Sequence, residues 1–157
     1  MAEAIAAVGL AASILQIVST GVQASVYLYN LAETVSSTGR TLKEIADDIS
    51  FTTSVLEQLK AILESERDYG TATKEALTTA DRLVRECSTV FEKIMALLKK
   101  HFPVPEFGGK KVAKLTYLRY PFLLPKIEVM RSNLEKHKTK LILMVQVLTY
   151  AKIVASE

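Results

Sequence analysis

The polar and apolar positions along the chain fall into four blocks with different patterns. The first, "VGLAASILQIVSTGVQASVYLYN" from Val8 to Asn30, is apolar nearly all round. It belongs to a charge-free stretch bounded by Glu3 and Glu33. This predicts a helix from about Ala2 to Val35, with Gly21 as the place for a bend and "SSTG" (Ser36 to Gly39) as its stop. The second block opens at "TLKE", which reads as a capping box with Thr41 as N-cap and Glu44 three residues on. Leu42, Ile45, Ile49, Leu56, Leu59 and Leu63 then repeat at helical spacing until "RDYGT" breaks the chain around Gly70.

The third block, about Thr73 to Lys100, carries the stripe Ala76, Leu77, Ala80, Leu83, Val84, Cys87, Val90, Phe91, Ile94 and Leu98. After the irregular "HFPVPEFGGKK" comes a short segment, "KKVAKLTYLRY". Pro121 and Pro125 frame the entry to a last helix, about Lys126 to Val154. Its stripe is Ile127, Met130, Leu134, Leu141, Met144, Leu148 and Ile153. Helices with one apolar and one charged face bury their stripes against each other, so the pattern predicts an all-α, up-and-down helical bundle. About four main helices and a short one before the last are expected. A helix apolar all round belongs at the centre, so the N-terminal helix is expected to be the most enclosed element.

Composition narrows the class. The 157 residues make one domain, 1–157, long enough for a core of its own. Only 6 Gly, 4 Pro and no Trp argue against a turn-rich sandwich. The single cysteine, Cys87, cannot form an internal disulfide, so a cytoplasmic home is expected. The opening lacks the basic n-region of a signal peptide. It is long enough to span a bilayer, but Ser13, Gln16, Ser19 and Thr20 dilute it.

Candidate chemistry is sparse. His101 and His137 lie in different blocks, and no zinc or phosphate-loop spacing occurs. Cys87 sits on an apolar stripe, as an inert thiol does. The reading is therefore non-enzymatic, with no catalytic residue, cofactor or metal. Two features remain. Ser13, Gln16, Thr20 and Gln23 form a thin uncharged polar stripe on the first helix, a solvated edge in a core helix or a pore lining in a membrane one. Small residues, Gly9 with Ser13 and Ala7 with Ala11, recur at four-residue spacing. The second half is basic: Lys99, Lys100, Lys110, Lys111, Lys114 and Arg119 lead it, with Tyr117 and Tyr120 interleaved. A solvated face, anionic lipid or nucleic acid phosphates all fit such a run. Lipid ranks above nucleic acid because a strongly apolar helix shares the chain.

The stretch "LTYLRYPFLLPKIEVMRSNLEKHKTKLILMVQVLTYA", Leu115 to Ala151, resembles the C-terminal part of the HeLo-like domain. This is the fungal domain that precedes the nucleotide-binding modules of NLR-like (STAND) receptors, related to HeLo and MLKL-type cell-death bundles. The matching points are Tyr120-Pro121-Phe122, the helix start at Ile127 and "LEKHKTKL" from Leu134 to Leu141. "MAEAIAAVGLAASILQIVSTG" and "TGRTLKEIADDISFTTSVLEQLKAIL" are similar to the family's first and second helices, so the resemblance covers nearly the whole chain. It implies a helical bundle that executes regulated cell death in fungal immunity or allorecognition. It also implies an upstream NLR-like receptor or an amyloid-signalling partner as trigger. No nucleotide-binding region or amyloid motif follows within the 157 residues, so an excised domain or a separate receptor is expected.

On this resemblance the first helix is buried at rest and lipid-bound when released. Ile5, Val8, Leu10, Ile14, Leu15, Ile17 and Val18 are then the membrane-inserting residues, and Ser13, Gln16, Thr20 and Gln23 the candidate pore lining. Lys99, Lys100, Lys110, Lys111, Lys114 and Arg119 are the candidate contacts to anionic lipid. The expected partners are an anionic phospholipid membrane and further copies of the chain, with no nucleic acid. The protein is expected in the cytoplasm at rest and at the plasma membrane once active. The alternative is a protein–protein adaptor module that oligomerises or docks a receptor and never enters lipid.

Overall fold

The computed structural model describes residues 2–34, 39–101 and 110–157, and the side chains within them other than those of 34, 39, 67–69 and 110–124. Four helices form: α1 (Ala2–Thr34), α2 (Gly39–Tyr69), α3 (Lys74–His101) and α4 (Lys110–Ser156). α1 packs beside α2 and α3, and α4 packs beside the same two. The pairs α1–α4 and α2–α3 face each other across the diagonal. Gly21 lies opposite Thr53 while Ser25 Oγ donates to Ala46 O, so α1 and α2 run antiparallel. Arg131 reaches Asp48 and Lys152 reaches Ser65, so α4 runs parallel to α2. The expected all-α, up-and-down bundle is what the chain builds.

The apolar stripes read from the sequence form the core. Leu42, Ile45, Ile49, Leu56, Leu59 and Leu63 of α2 are buried, as are Leu77, Leu83, Val84, Cys87, Phe91, Ile94 and Leu98 of α3. On α4, Ile127, Leu134, Leu141, Met144 and Leu148 turn inward, but Ile153 is exposed.

Three local features differ from the sequence reading. α2 starts at Gly39, two residues before Thr41, so the capping box does not form. Glu44 instead pairs with Arg40 on its own helix and with Arg131 of α4. Thr73 is the working N-cap: its Oγ1 accepts the Ala76 N–H at 3.1 Å and opens α3. The segment expected as a separate short helix is continuous with α4, whose backbone stays helical through Pro121 and Pro125. A proline removes one ladder bond but does not oblige the chain to leave the helix.

The third difference concerns α1. A corner helix has two neighbours, and α1 buries one face: Ala7, Leu10, Ala11, Ile14, Ile17, Val18, Gly21, Ala24, Ser25, Leu28 and Ala32. This is a seven-residue repeat whose inward row is Ala7, Ile14, Gly21 and Leu28. The opposite face is open, so α1 is apolar as expected but enclosed on one side only.

Gly21 marks the closest approach. A Cβ there would overlap Thr53 Oγ1 of α2 and sit 2.9 Å from the Phe91 ring of α3. The helix runs through Gly21 without a break. The α2–α3 turn is held by another buried group. Gly70 adopts a φ of 56°, and the Glu66 carboxylate accepts Thr71 Oγ1 and the Ala72 N–H, each at 2.7 Å.

Two stability outcomes follow. Gly21→Ala gains about 1 kcal/mol of helix propensity but must push apart two packed neighbours, for a net loss of about 1–2 kcal/mol in urea unfolding. Glu66→Ala strands a buried N–H and a hydroxyl and costs about 2–3 kcal/mol in the same assay.

Candidate functional site

The seven residues expected to insert into a membrane divide between the two faces of α1. Leu10, Ile14, Ile17 and Val18 are in the core, whereas Ile5, Val8 and Leu15 face outward. With Ala12, Ser19, Val22 and Val26 the outward three complete a row spaced alternately by three and four residues: 5, 8, 12, 15, 19, 22 and 26. All seven are exposed and none is charged. Ala12, Ser19, Val22 and Val26 lie outside the expected inserting set, because both faces of the helix are apolar and periodicity then gives no phase.

The polar stripe lies on a different side. Ser13, Gln16 and Gln23 are exposed and Thr20 is half-buried. The two hydroxyls are satisfied within the helix: Ser13 Oγ donates to Leu10 O at 2.8 Å and Thr20 Oγ1 to Gln16 O at 3.2 Å. Only the Gln16 and Gln23 side chains therefore seek outside partners. Ser13 also opens on a groove of about 590 Å³ between the N-terminal halves of α1 and α3. Leu10 and Leu77 floor it, and Glu3, Lys74, Asp81 and Arg85 rim it. Gly9 borders this space with nothing close to it, whereas Ala7 and Ala11 pack inward.

The basic candidates are only partly placed. Lys99 and Lys100 are exposed in the last turn of α3. There they complement the C-terminal end of the helix dipole. Lys110, Lys111, Lys114 and Arg119 fall on the first turns of α4, and their side chains lie outside the described residues. Further along α4 a second exposed row recurs: Lys126, Val129, Asn133, Lys136, Lys140, Leu143, Val147, Tyr150 and Val154. It again alternates three and four, with lysines in its first half and apolar side chains in its second. Two helical segments, Ala2–Glu33 and Pro125–Ser156, are long and apolar enough to cross a membrane. The sequence reading had singled out only the first.

Titratable groups inside the bundle are few. Cys87 is buried, and its thiol is pushed up to about 12, first by burial and then by Glu86. It stays protonated at neutral pH and is a packing group. His137 of α4 lies 3.5 Å from Glu86 of α3, and its Nδ1 is buried without a hydrogen-bond partner. Burial holds its pKa below the ordinary 6.5; Glu86 opposes that shift, while Lys140 and Lys136 add to it. Among the described residues no cluster of three or more His, Cys, Asp or Glu side chains forms.

Comparison with known proteins adds one match. The family model described as the pigment biosynthesis cluster protein PigL N-terminal domain (PigL_N) aligns with residues 5–154. The chain belongs to the PigL N-terminal family. No curated protein matches it. No solved structure matches it either. In this PigL N-terminal domain the match runs through all four helices, so both exposed rows lie inside the family's own boundaries.

His137 gives the domain an acid-sensitive component. A proton binds the unfolded chain more readily than the fold, because the folded pKa is the lower one. Stability contributed here is complete above about pH 6.5, the unfolded value, and is lost as pH falls below it towards the folded value. Urea midpoints measured from pH 7.5 to 5 should fall, and His137→Gln should flatten that slope.

Proposed function

We propose that this domain is a non-enzymatic, membrane-permeabilising executioner in which α1 leaves the bundle and enters the bilayer after oligomerisation. The observation that carries the reading is the outward row of α1. It is a helix without charge between Glu3 and Glu33, and five large aliphatic side chains already stand on the side that faces water. Transfer to hydrocarbon keeps Leu10, Ile14, Ile17 and Val18 in an apolar medium and gives Ile5, Val8, Leu15, Val22 and Val26 one they lack. The main cost is lost packing against α2 and α3.

The polar stripe fits the same reading. Hydroxyls already bonded to their own helix cost little in lipid, and the Gln16 and Gln23 amides can pair between copies or line a pore. The resemblance to HeLo-like domains supports the biological side of the proposal, regulated cell death in fungal immunity or allorecognition. There an NLR-like receptor or an amyloid-signalling partner would release a cytoplasmic bundle onto the plasma membrane. Lys99 and Lys100, with the lysines of α4, supply attraction to anionic headgroups at about 1 kcal/mol each near the surface. The family description names an N-terminal domain, a position that suits an effector carried at the start of a longer protein.

The test is dye release from liposomes with and without anionic lipid, using oligomerised protein. Wild-type protein should release dye, more so from anionic vesicles. Ala12→Asp puts a charge on the lipid-facing side, where it costs about 2.5–3.5 kcal/mol at mid-bilayer, and should abolish release. Gln16→Glu lies on the polar stripe and should keep it. Both positions are exposed, so circular dichroism should show both variants folded. Folded wild-type protein that releases nothing when oligomerised would instead favour the adaptor reading.

A further inference from the structure

The outward row of α1 has an internal symmetry. In order it reads Ile5, Val8, Ala12, Leu15, Ser19, Val22 and Val26. By size this is large, large, small, large, small, large, large. The row is a palindrome centred on Leu15. Reversal places Ile5 opposite Val26, Val8 opposite Val22, and Ala12 opposite Ser19. An interface with twofold symmetry needs such a self-complementary surface, because each residue i must suit the residue j that it meets. The alternating three-and-four spacing is the one that lets two helices interlock along a seam.

We infer that the resting protein is an antiparallel homodimer in which the outward rows of α1 from two copies cover each other. Leu15 meets the partner copy's Leu15 at the twofold axis. The two small pairs on either side let the helix axes approach. No charge opposes the pairing: the row holds no Lys, Arg, Asp or Glu, and Glu3 and Glu33 lie beyond its ends. The row on α4 is a poorer self-partner. A parallel pairing would set Lys126, Lys136 and Lys140 against their own copies, and an antiparallel one would centre on Lys140, setting it against its own copy and Lys136 against Leu143.

The size of the seam sets the strength. Its five large side chains are between 42% and 72% exposed. At roughly 60–120 Å² for each fully exposed aliphatic side chain, the row offers on the order of 170–330 Å² per copy. Two copies bury roughly 300–650 Å² through these side chains, below the size of a stable specific interface and in the range of a weak, transient one. The dimer is therefore weak and reversible, with dissociation expected at about a hundred micromolar. Its consequence, that pairing hides the membrane-entering face of α1 until it is released, rests on the membrane reading above; the dimer itself does not.

Sedimentation velocity in lipid-free buffer, from micromolar to several hundred micromolar protein, tests it without any membrane. Wild-type protein should pass from monomer to dimer over that range. Leu15→Glu and Leu15→Lys each place like charges at the twofold axis and should weaken association at least a hundredfold. An equimolar mixture of the two variants should recover a dimer, which a merely unfolded or aggregated variant cannot do. Leu143→Glu makes the same change on α4 and should leave the wild-type dimer intact. A wild-type monomer throughout, a Leu15→Glu dimer as tight as wild type, or dissociation by Leu143→Glu would each overturn the inference. None of these outcomes bears on dye release, which tests the membrane reading separately.

Discussion

A helix at the corner of a four-helix bundle has two neighbours and can bury about half of its circumference. α2 and α3 accept this limit, because each has one apolar face and one charged face, and α4 does so over the lysine-bearing first half of its outer row. α1 does not. Its apolar content continues around the helix, and the half that the bundle cannot cover is left in water. The arrangement of the other elements follows from how tightly the covered half is held. Gly21 lets α1 drop between Thr53 and Phe91, and Ala7, Ala11 and Ala24 keep the rest of that face narrow. α2 and α3 close on α1 from two sides, and α4 fills the remaining corner against both.

The hydrogen bonds that fix the frame are few and placed where helices meet. Arg131 spans from α4 to Asp48 and Glu44 of α2, at 2.8 Å and 3.3 Å. Burial of the guanidinium works against its charge, and the two carboxylates more than offset this, so its pKa is raised. Tyr29 donates to Asp47 and joins α1 to α2, and that bond raises the phenol's pKa. Glu66 holds the α2–α3 turn. These groups sit away from the outward row of α1, Ile5 to Val26. α1 is fastened at one edge and along its floor, and free along its back.

Much of this was legible from the residues. α2 and α3 each carry a single apolar stripe, and a single stripe fixes which face turns inward. α1 carries two, and nothing in their spacing chooses between them. The choice lies in the smallest side chains: the inward face has Gly21 between Thr53 and Phe91, with Ala7, Ala11 and Ala24 beside it, and the outward row has no glycine. "TLKE" misled because Glu44 had a stronger use, pairing with Arg131 eighty-seven residues on. The outer row of α4 was hidden by its mixed character, since Lys126, Lys136 and Lys140 interrupt the hydrophobic signal at the spacing that would have exposed it.

The distribution of size around α1 explains why it is the element suited to change its surroundings. Five large aliphatic side chains face the core: Leu10, Ile14, Ile17, Val18 and Leu28. Five face water: Ile5, Val8, Leu15, Val22 and Val26. The folded monomer satisfies only the first set. Any environment that covers both sets lowers the free energy of the helix by the burial of the second, about 1 kcal/mol for each half-exposed aliphatic side chain. A second copy covers both without disturbing the core. A bilayer also covers both, but the close packing at Gly21 must first be given up. On the proposal that α1 enters a membrane, the contact that would compete with entry is the one that uses the same five side chains, and regulation of α1 would reduce to which surface covers its open face.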